Sequence, residues 1–211
     1  MTAPEIHDSR YSWARLAVTL GIATVGNVGM WAIIVIIPAV QAEFGIDRAG
    51  ASLPYSATMI GFALGNLLIG RAVDRHGITV ALIGACVAMS AGFALAAVAA
   101  SVWLLTLLHL VVGLGSAASF GPLIADVSHW FLRRRGIAVA IAASGNYLSG
   151  AIWPVALAGV LADHGWRGVY LALAAICLAV MIPGALVTRV VLAAIAHLAP
   201  DAQKRDGDGA G

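Results

Sequence analysis

The sequence predicts an all-α polytopic membrane protein with six transmembrane helices, set as two inverted blocks of three. Composition, the gaps between charged residues and the placement of basic residues all point there. Of 211 residues, 61% are hydrophobic and 10% charged, against roughly 45–50% and about 25% in an average soluble domain. Mean hydropathy is +0.95. So few charges cannot cover a water-facing surface, which excludes a soluble enzyme. Cys86 and Cys177 each lie inside an apolar run and suggest neither a disulfide framework nor a metal site.

The elements follow from stretches free of Asp, Glu, Lys and Arg. Leu16–Ala42 has 27 such residues, Ala49–Gly70 has 22, Gly77–Ala125 has 49, Gly136–Ala162 has 27 and Gly168–Thr188 has 21. A helix of about 20 apolar residues crosses a hydrocarbon core roughly 30 Å thick, and there its backbone groups must bond internally. Four stretches hold one span each. The longest holds two, turning near Ala100–Ser101. The expected spans are residues 16–40, 51–70, 78–99, 102–125, 137–161 and 168–188, between tails 1–15 and 189–211. The first is too long for a signal-peptide core and lacks an A-x-A cleavage site, so it reads as retained. Continuous rather than alternating apolar runs argue against a β-barrel. Pro200–Gly211 is rich in Gly and Asp and is expected to be solvated and disordered.

Six spans place both termini on one side. That side holds Arg10, Arg15, Arg71, Arg75, Arg133, Arg134, Arg135, Arg189, Lys204 and Arg205, and the other only Arg48 and Arg167. Short basic loops stay in the cytoplasm, so both termini are expected there. The inverted plan rests on a repeat. Gly70 and Asp74, between the second and third spans, recur as Gly159 and Asp163 between the fifth and sixth. Two such blocks facing opposite ways are the plan of many secondary transporters.

The loop after the second span reads G-R-A-V-D-R-H-G, with Gly70, Asp74, Arg75 and Gly77. The fourth span carries Gly113 and Gly115 of a pattern R-x-x-x-G-x-G, with His109 at the Arg position. Over roughly Leu16–Thr188 these resemble the first six-helix half of the major facilitator superfamily. Ile78 and Thr79 stand where that family has further basic residues. W-F-L-R-R-R-G from Trp130, G-W-R at Gly165–Arg167 and E-F-G-I-D-R at Glu43–Arg48 resemble its monocarboxylate and oxalate:formate antiporter-like branch. The resemblance implies that the motif Asp meets a helix end in the second half, and that the motif's basic residues pair with an acid at the fourth span's cytoplasmic end. Asp126 stands there. Asp74, Arg75, Asp126 and one of Arg133, Arg134 and Arg135 are therefore expected to form a cytoplasmic latch for the outward-open state. The alternative is that these charges only determine topology.

Polar residues at membrane depth are functional candidates, although many only pack helices. Thr24, Asn27 and Trp31 form a stripe on the first span, and His109, Gly113, Ser116 and Phe120 one on the fourth. Asn146, Ser149 and Trp153, with Tyr147 adjacent, form one on the fifth. Asn27, Trp31, His109, Ser116, Asn146, Tyr147 and Trp153 are the substrate-cavity candidates, with Asn27 and Asn146 near mid-membrane. His109 is suited either to proton coupling and anion recognition or to a hydrogen bond between helices. Trp13, Trp103, Trp130 and Trp166 lie near span ends as interface anchors.

The resemblance implies a secondary active transporter of a small solute, such as a monocarboxylate, working by alternating access and possessing a cavity shared with a second six-helix half. Its expected partners are the lipid bilayer, the substrate with a coupled proton, and that second half on the same or a separate chain. A truncated or half-size unit is expected, in the plasma membrane (a bacterial inner membrane). The alternative is a non-transporting six-helix subunit or remnant that binds a partner. An intramembrane serine protease is disfavoured, since Ala142–Gly145 lacks the first Gly of G-x-S-G and His109 precedes the serine. The absence of a Walker motif leaves ATP-driven transport unsupported. No cofactor, metal or nucleic acid is expected.

Overall fold

The computed structural model describes the backbone of residues 7–208 and the side chains of residues 7–188. Among these residues all regular structure is helical: α1 (Arg10–Gly26), α2 (Val28–Phe44), α3 (Arg48–His76), α4 (Ile78–Ala96), α5 (Val102–Ser116), a 3-10 turn at Ala117–Ser119, α6 (Gly121–Trp130) and α7 (Arg135–Asp208). Five stretches are long and apolar enough to cross a membrane: Arg10–Phe44, Arg48–His76, Ile78–Ala96, Val102–Trp130 and Arg135–Thr188. Side-chain caps start three helices. Ser9 Oγ accepts from the Ser12 amide, Asp47 Oδ1 from that of Gly50 and Ser101 Oγ from that of Leu104, satisfying donors that a helix N-terminus leaves open.

The last stretch holds 54 residues, about 80 Å of helix if straight, more than twice the thickness of a bilayer core. It is not straight. Gly165 has φ 66° and ψ −178°, a conformation outside the helical region and open essentially to glycine alone. The arms on either side of it pack on the same level of α1: a Cβ at Gly145 would meet Ala23, and one at Gly184 would meet Ile22. The chain therefore folds back at Gly165. Gly77 makes the corresponding turn between α3 and α4 with φ 80° and ψ 162°.

Two of the long stretches are interrupted. The first is loosened at Asn27 between α1 and α2, where the backbone stays in the right-handed helical region (φ −79°, ψ −2°). The fourth breaks at Ala117–Phe120 between α5 and α6, where Phe120 leaves that region (φ −123°, ψ −86°). Pro122 accounts for part of the second break, since it has no N–H to continue the helical ladder. The interruptions meet: Asn27 Nδ2 donates to the Ser119 carbonyl at 3.3 Å and to that of Ala23 at 2.7 Å. The tail expected to be disordered is instead helical, since α7 continues to Asp208. The side chains of Arg189, Lys204 and Arg205 lie outside the described residues.

Packing is closest where small residues let backbones touch. A Cβ at Gly61 would lie 2.1 Å from the Leu110 carbonyl oxygen, and one at Gly113 would lie 2.1 Å from that of Thr58. These glycines bring α3 against α5. Gly115 does the same against the Ala85 carbonyl of α4. Gly70, by contrast, has open space where a Cβ would sit, so close approach within this bundle does not explain it.

Candidate cavity and gating residues

The polar stripes of the first and fifth spans come together. Trp31 Nε1 donates to Asn146 Oδ1 at 3.2 Å, the Trp31 ring lies over Gly150, and Trp153 Nε1 donates to the Thr24 carbonyl at 2.9 Å. Trp31 and Asn146 are half-buried. Tyr147, on the next face of α7, is 75% exposed. Trp153 is buried at 8% exposed, so Trp31, Asn146 and Tyr147 are the accessible members of this group, and none carries a charge.

The other candidates are dry. Asn27, His109 and Ser116 are completely buried. Asn27 Oδ1 and the neighbouring Ser119 Oγ have no hydrogen-bond partner. Ser116 Oγ has two acceptors for its one proton, the Val112 carbonyl at 3.0 Å and Met89 Sδ at 3.3 Å, and packs against Gly29. His109 lies between helices rather than beside a cavity. Its Nδ1 meets the Leu105 carbonyl at 3.0 Å, and its Nε2 meets the Tyr170 hydroxyl at 2.9 Å. A carbonyl only accepts, so the hydrogen sits on Nδ1 and Nε2 accepts from the phenol. Tyr170, also fully buried, stacks on Phe93 and meets Trp166 edge-on.

One end of the bundle gathers basic residues and the motif acids. Asp126 receives three hydrogen bonds from Arg15: Nε to Oδ2 at 3.0 Å, and Nη2 to Oδ1 at 3.0 Å and to Oδ2 at 2.8 Å. Arg15 Nη1 donates to the Thr188 carbonyl at 3.0 Å, and its guanidinium lies 4.6 Å from the Trp130 ring centre. One buried guanidinium thus ties α1, α6 and the second arm of α7. Asp74 and Arg75 are exposed. Asp74 and Asp126 line one cleft of about 450 Å³, with Asn66, Gly70, Gly121 and His129. Arg133 and Arg134 are exposed in the α6–α7 loop and Arg135 at the first position of α7. The backbone amides of Leu132, Arg133 and Arg134 donate to the Asp8 carboxylate at 3.1, 3.0 and 3.2 Å. These amides, that of Arg133 foremost, hold the Asp8 carboxyl below its ordinary value.

The opposite end carries a cluster absent from the sequence-based candidates. Glu43, at the end of α2, accepts from Trp166 Nε1 at 2.5 Å and from Arg167 Nη1 at 2.5 and 2.6 Å. Arg167 Nη2 also donates to the Ala99 carbonyl at 3.1 Å. The E-F-G and G-W-R motifs are therefore two sides of one contact. Trp166 is only 4% exposed, so it is a core residue and not the interface anchor that its place near a span end implies. The two segments were visible in the sequence as motifs, but nothing local pairs them.

With this geometry established, comparison with known proteins decides the family. The profile of the Major Facilitator Superfamily matches residues 19–206. The chain belongs to that superfamily. Among curated relatives it is 40% identical over 153 residues to human monocarboxylate transporter 11, covering 70% of this chain and 30% of that protein. It is 29% identical over 142 residues to the probable sulfoacetate transporter SauU of Cupriavidus necator, covering 67% and 33%. It is 38% identical over 111 residues to the 4-hydroxybenzoate transporter PcaK of Pseudomonas putida, covering 52% and 25%. The chain thus matches a third or less of the length of these relatives. Superfamily membership and the apolar helices make it an integral membrane protein of a transporter family.

Proposed function

We propose that this chain is one lobe of a secondary carrier that moves a small organic anion by alternating access. It crosses the membrane six times as two inverted three-helix repeats, with both termini cytoplasmic, and works against a second six-helix lobe on the same or a separate chain. The meeting of the interrupted first and fourth spans at Asn27 and Ser119 carries the reading. Interrupted helices in corresponding positions of two repeats mark the central site of such carriers. The fold-back at Gly165 supports six crossings, and the matching turn at Gly77 supports the repeat. The superfamily relatives named above transport a monocarboxylate, sulfoacetate or 4-hydroxybenzoate by their names, all of them carboxylates.

Trp31, Asn146 and Tyr147 form the lobe's share of the substrate wall. Asn27, His109, Ser116 and Trp153 hold that wall's shape from behind. Among the described residues, no Lys or Arg lies mid-span, so the anion's counter-charge comes from the second lobe. Asp74 and Arg75 form the cytoplasmic latch over the cleft that Asp74 shares with Asp126. Asp126, expected to pair with the motif's basic residues and one of Arg133, Arg134 and Arg135, is held by Arg15 instead. The Arg133–Arg135 triplet lies outside that cleft's lining.

Proteoliposome uptake of radiolabelled small carboxylates tests this. The chain paired with a second lobe is expected to accumulate substrate, and a charge swap at Asp74 and Arg75 to cut uptake with insertion intact. Unaltered uptake after the swap removes the latch. No uptake with any second lobe favours the non-transporting subunit. Labelling of single engineered cysteines in each tail tests the topology, and reaction from opposite faces overturns six crossings.

A further inference from the structure

The α6–α7 loop stands out from the other charged segments because its backbone is tied down while its side chains project. Asp8, from the far end of the chain, takes three consecutive amides of the loop, and its own amide donates to the Trp130 carbonyl at 3.2 Å. Phe131 is buried beneath the loop and meets Trp13 edge-on at 5.2 Å. The loop is therefore a fixed platform. Above it Leu132 to Ile137 are all exposed, with Leu132 at 68% and Ile137 at 58%. Within these six residues stand Arg133, Arg134 and Arg135. Arg135 Nη2 donates to Ser128 Oγ at 3.2 Å, and the Arg134 guanidinium lies 6.0 Å from the Trp13 ring centre. Asp8, the acid in contact with the loop, spends its oxygens on backbone amides and faces the Arg134 guanidinium only through space. Among the described residues, none of the three guanidinium groups is therefore in an ion pair within 4 Å.

Two exposed aliphatic side chains flanking three exposed arginines are ill suited to water. They suit the boundary between acyl chains and headgroups, where aliphatic groups enter the hydrocarbon and guanidinium groups meet phosphate oxygens in pairs. We propose that Leu132–Ile137 is a binding site for an acidic phospholipid. The arginines hold the headgroup phosphate, and Leu132 and Ile137 contact its chains. The excess positive charge selects an anionic headgroup over a zwitterionic one, and the Asp8 clamp keeps the platform in shape. The site is independent of which solute the carrier moves.

The test is lipid retention by the 211-residue chain, extracted with detergent from vesicles of equal phosphatidylcholine and phosphatidylglycerol with identical acyl chains. Mass spectrometry of the co-purified lipid gives the ratio. Wild type is expected to be enriched in phosphatidylglycerol. Each arginine removed lowers the preference on the order of fivefold, so the R133Q/R134Q/R135Q variant approaches the bulk ratio. Arg48→Gln, at the opposite end, keeps the enrichment. Raising salt should erode the wild-type enrichment through screening, a readout that does not depend on a variant folding. Equal enrichment in wild type and the triple variant, or a salt-independent ratio, overturns the proposal. Displacement of phosphatidylglycerol by millimolar inorganic phosphate assigns the arginines to a free anion and overturns it as well.

Discussion

Arg15 and Asp126 carry the largest electrostatic stake at the residue scale. The Arg15 side chain is 2% exposed and that of Asp126 16%, so each charge depends on the other for its hydration loss. Removing one partner of a buried pair costs about 3–5 kcal/mol, because the survivor stays buried and uncompensated. Arg15→Gln and Asp126→Asn should each lower the unfolding midpoint in detergent, and the double variant should lose less than the sum. An additive double variant would mean that the two groups act separately. Asp8 gives a pH-dependent effect of opposite exposure. Its folded-state value is depressed, so its stabilisation of the loop is present above the unfolded value near pH 4 and disappears as pH falls through the folded one. Protease cleavage of the loop should rise on acidification in wild type and already be high in Asp8→Asn at neutral pH.

Among elements, the contact of α3 with α5 rests on backbone against backbone. Alanine at Gly61 or Gly113 puts a methyl into a carbonyl oxygen that cannot step aside, and overpacking of this kind costs about 1–3 kcal/mol. Gly84→Ala and Gly159→Ala meet open space and should be neutral or slightly stabilising, since alanine is the better helix former. Thermal unfolding of the four variants checks this, and equal effects at all four would reject the close-packing account. The interrupted helices were only partly legible. Pro122 and the glycines beside each break are visible signals, but Asn27 became a candidate for its polarity and depth. Its place at a loosened turn opposite Ser119 needed both helices in three dimensions.

For the whole molecule, the expectation is that one lobe alone inserts and folds but transports nothing, since its substrate wall has one side. Uptake by the chain reconstituted at a dilution that leaves one copy per vesicle should match empty vesicles, and a second lobe should raise it. Transport by single copies would contradict the two-lobed reading. That the chain is helical was legible in advance because apolar length is a local property: a continuous apolar run of about 20 residues crosses lipid as a helix, which bonds its backbone internally. The candidate site was less so. Trp31 does reach Asn146 and Trp153 the Thr24 carbonyl, contacts between the two stripes that their spacing suggests, whereas His109 is fully buried and bonded to Tyr170.

What the amino-acid order determined by itself is that the chain is helical and apolar and which of its stretches carry charge, because hydropathy and turn residues act within a few positions of each other. Only the tertiary structure decided which charges neutralise which. Arg15 finds Asp126 across 111 positions and Glu43 finds Arg167 across 124. A guanidinium has no preference for one carboxylate over another until packing brings one within about 3 Å and removes the water that would otherwise solvate both.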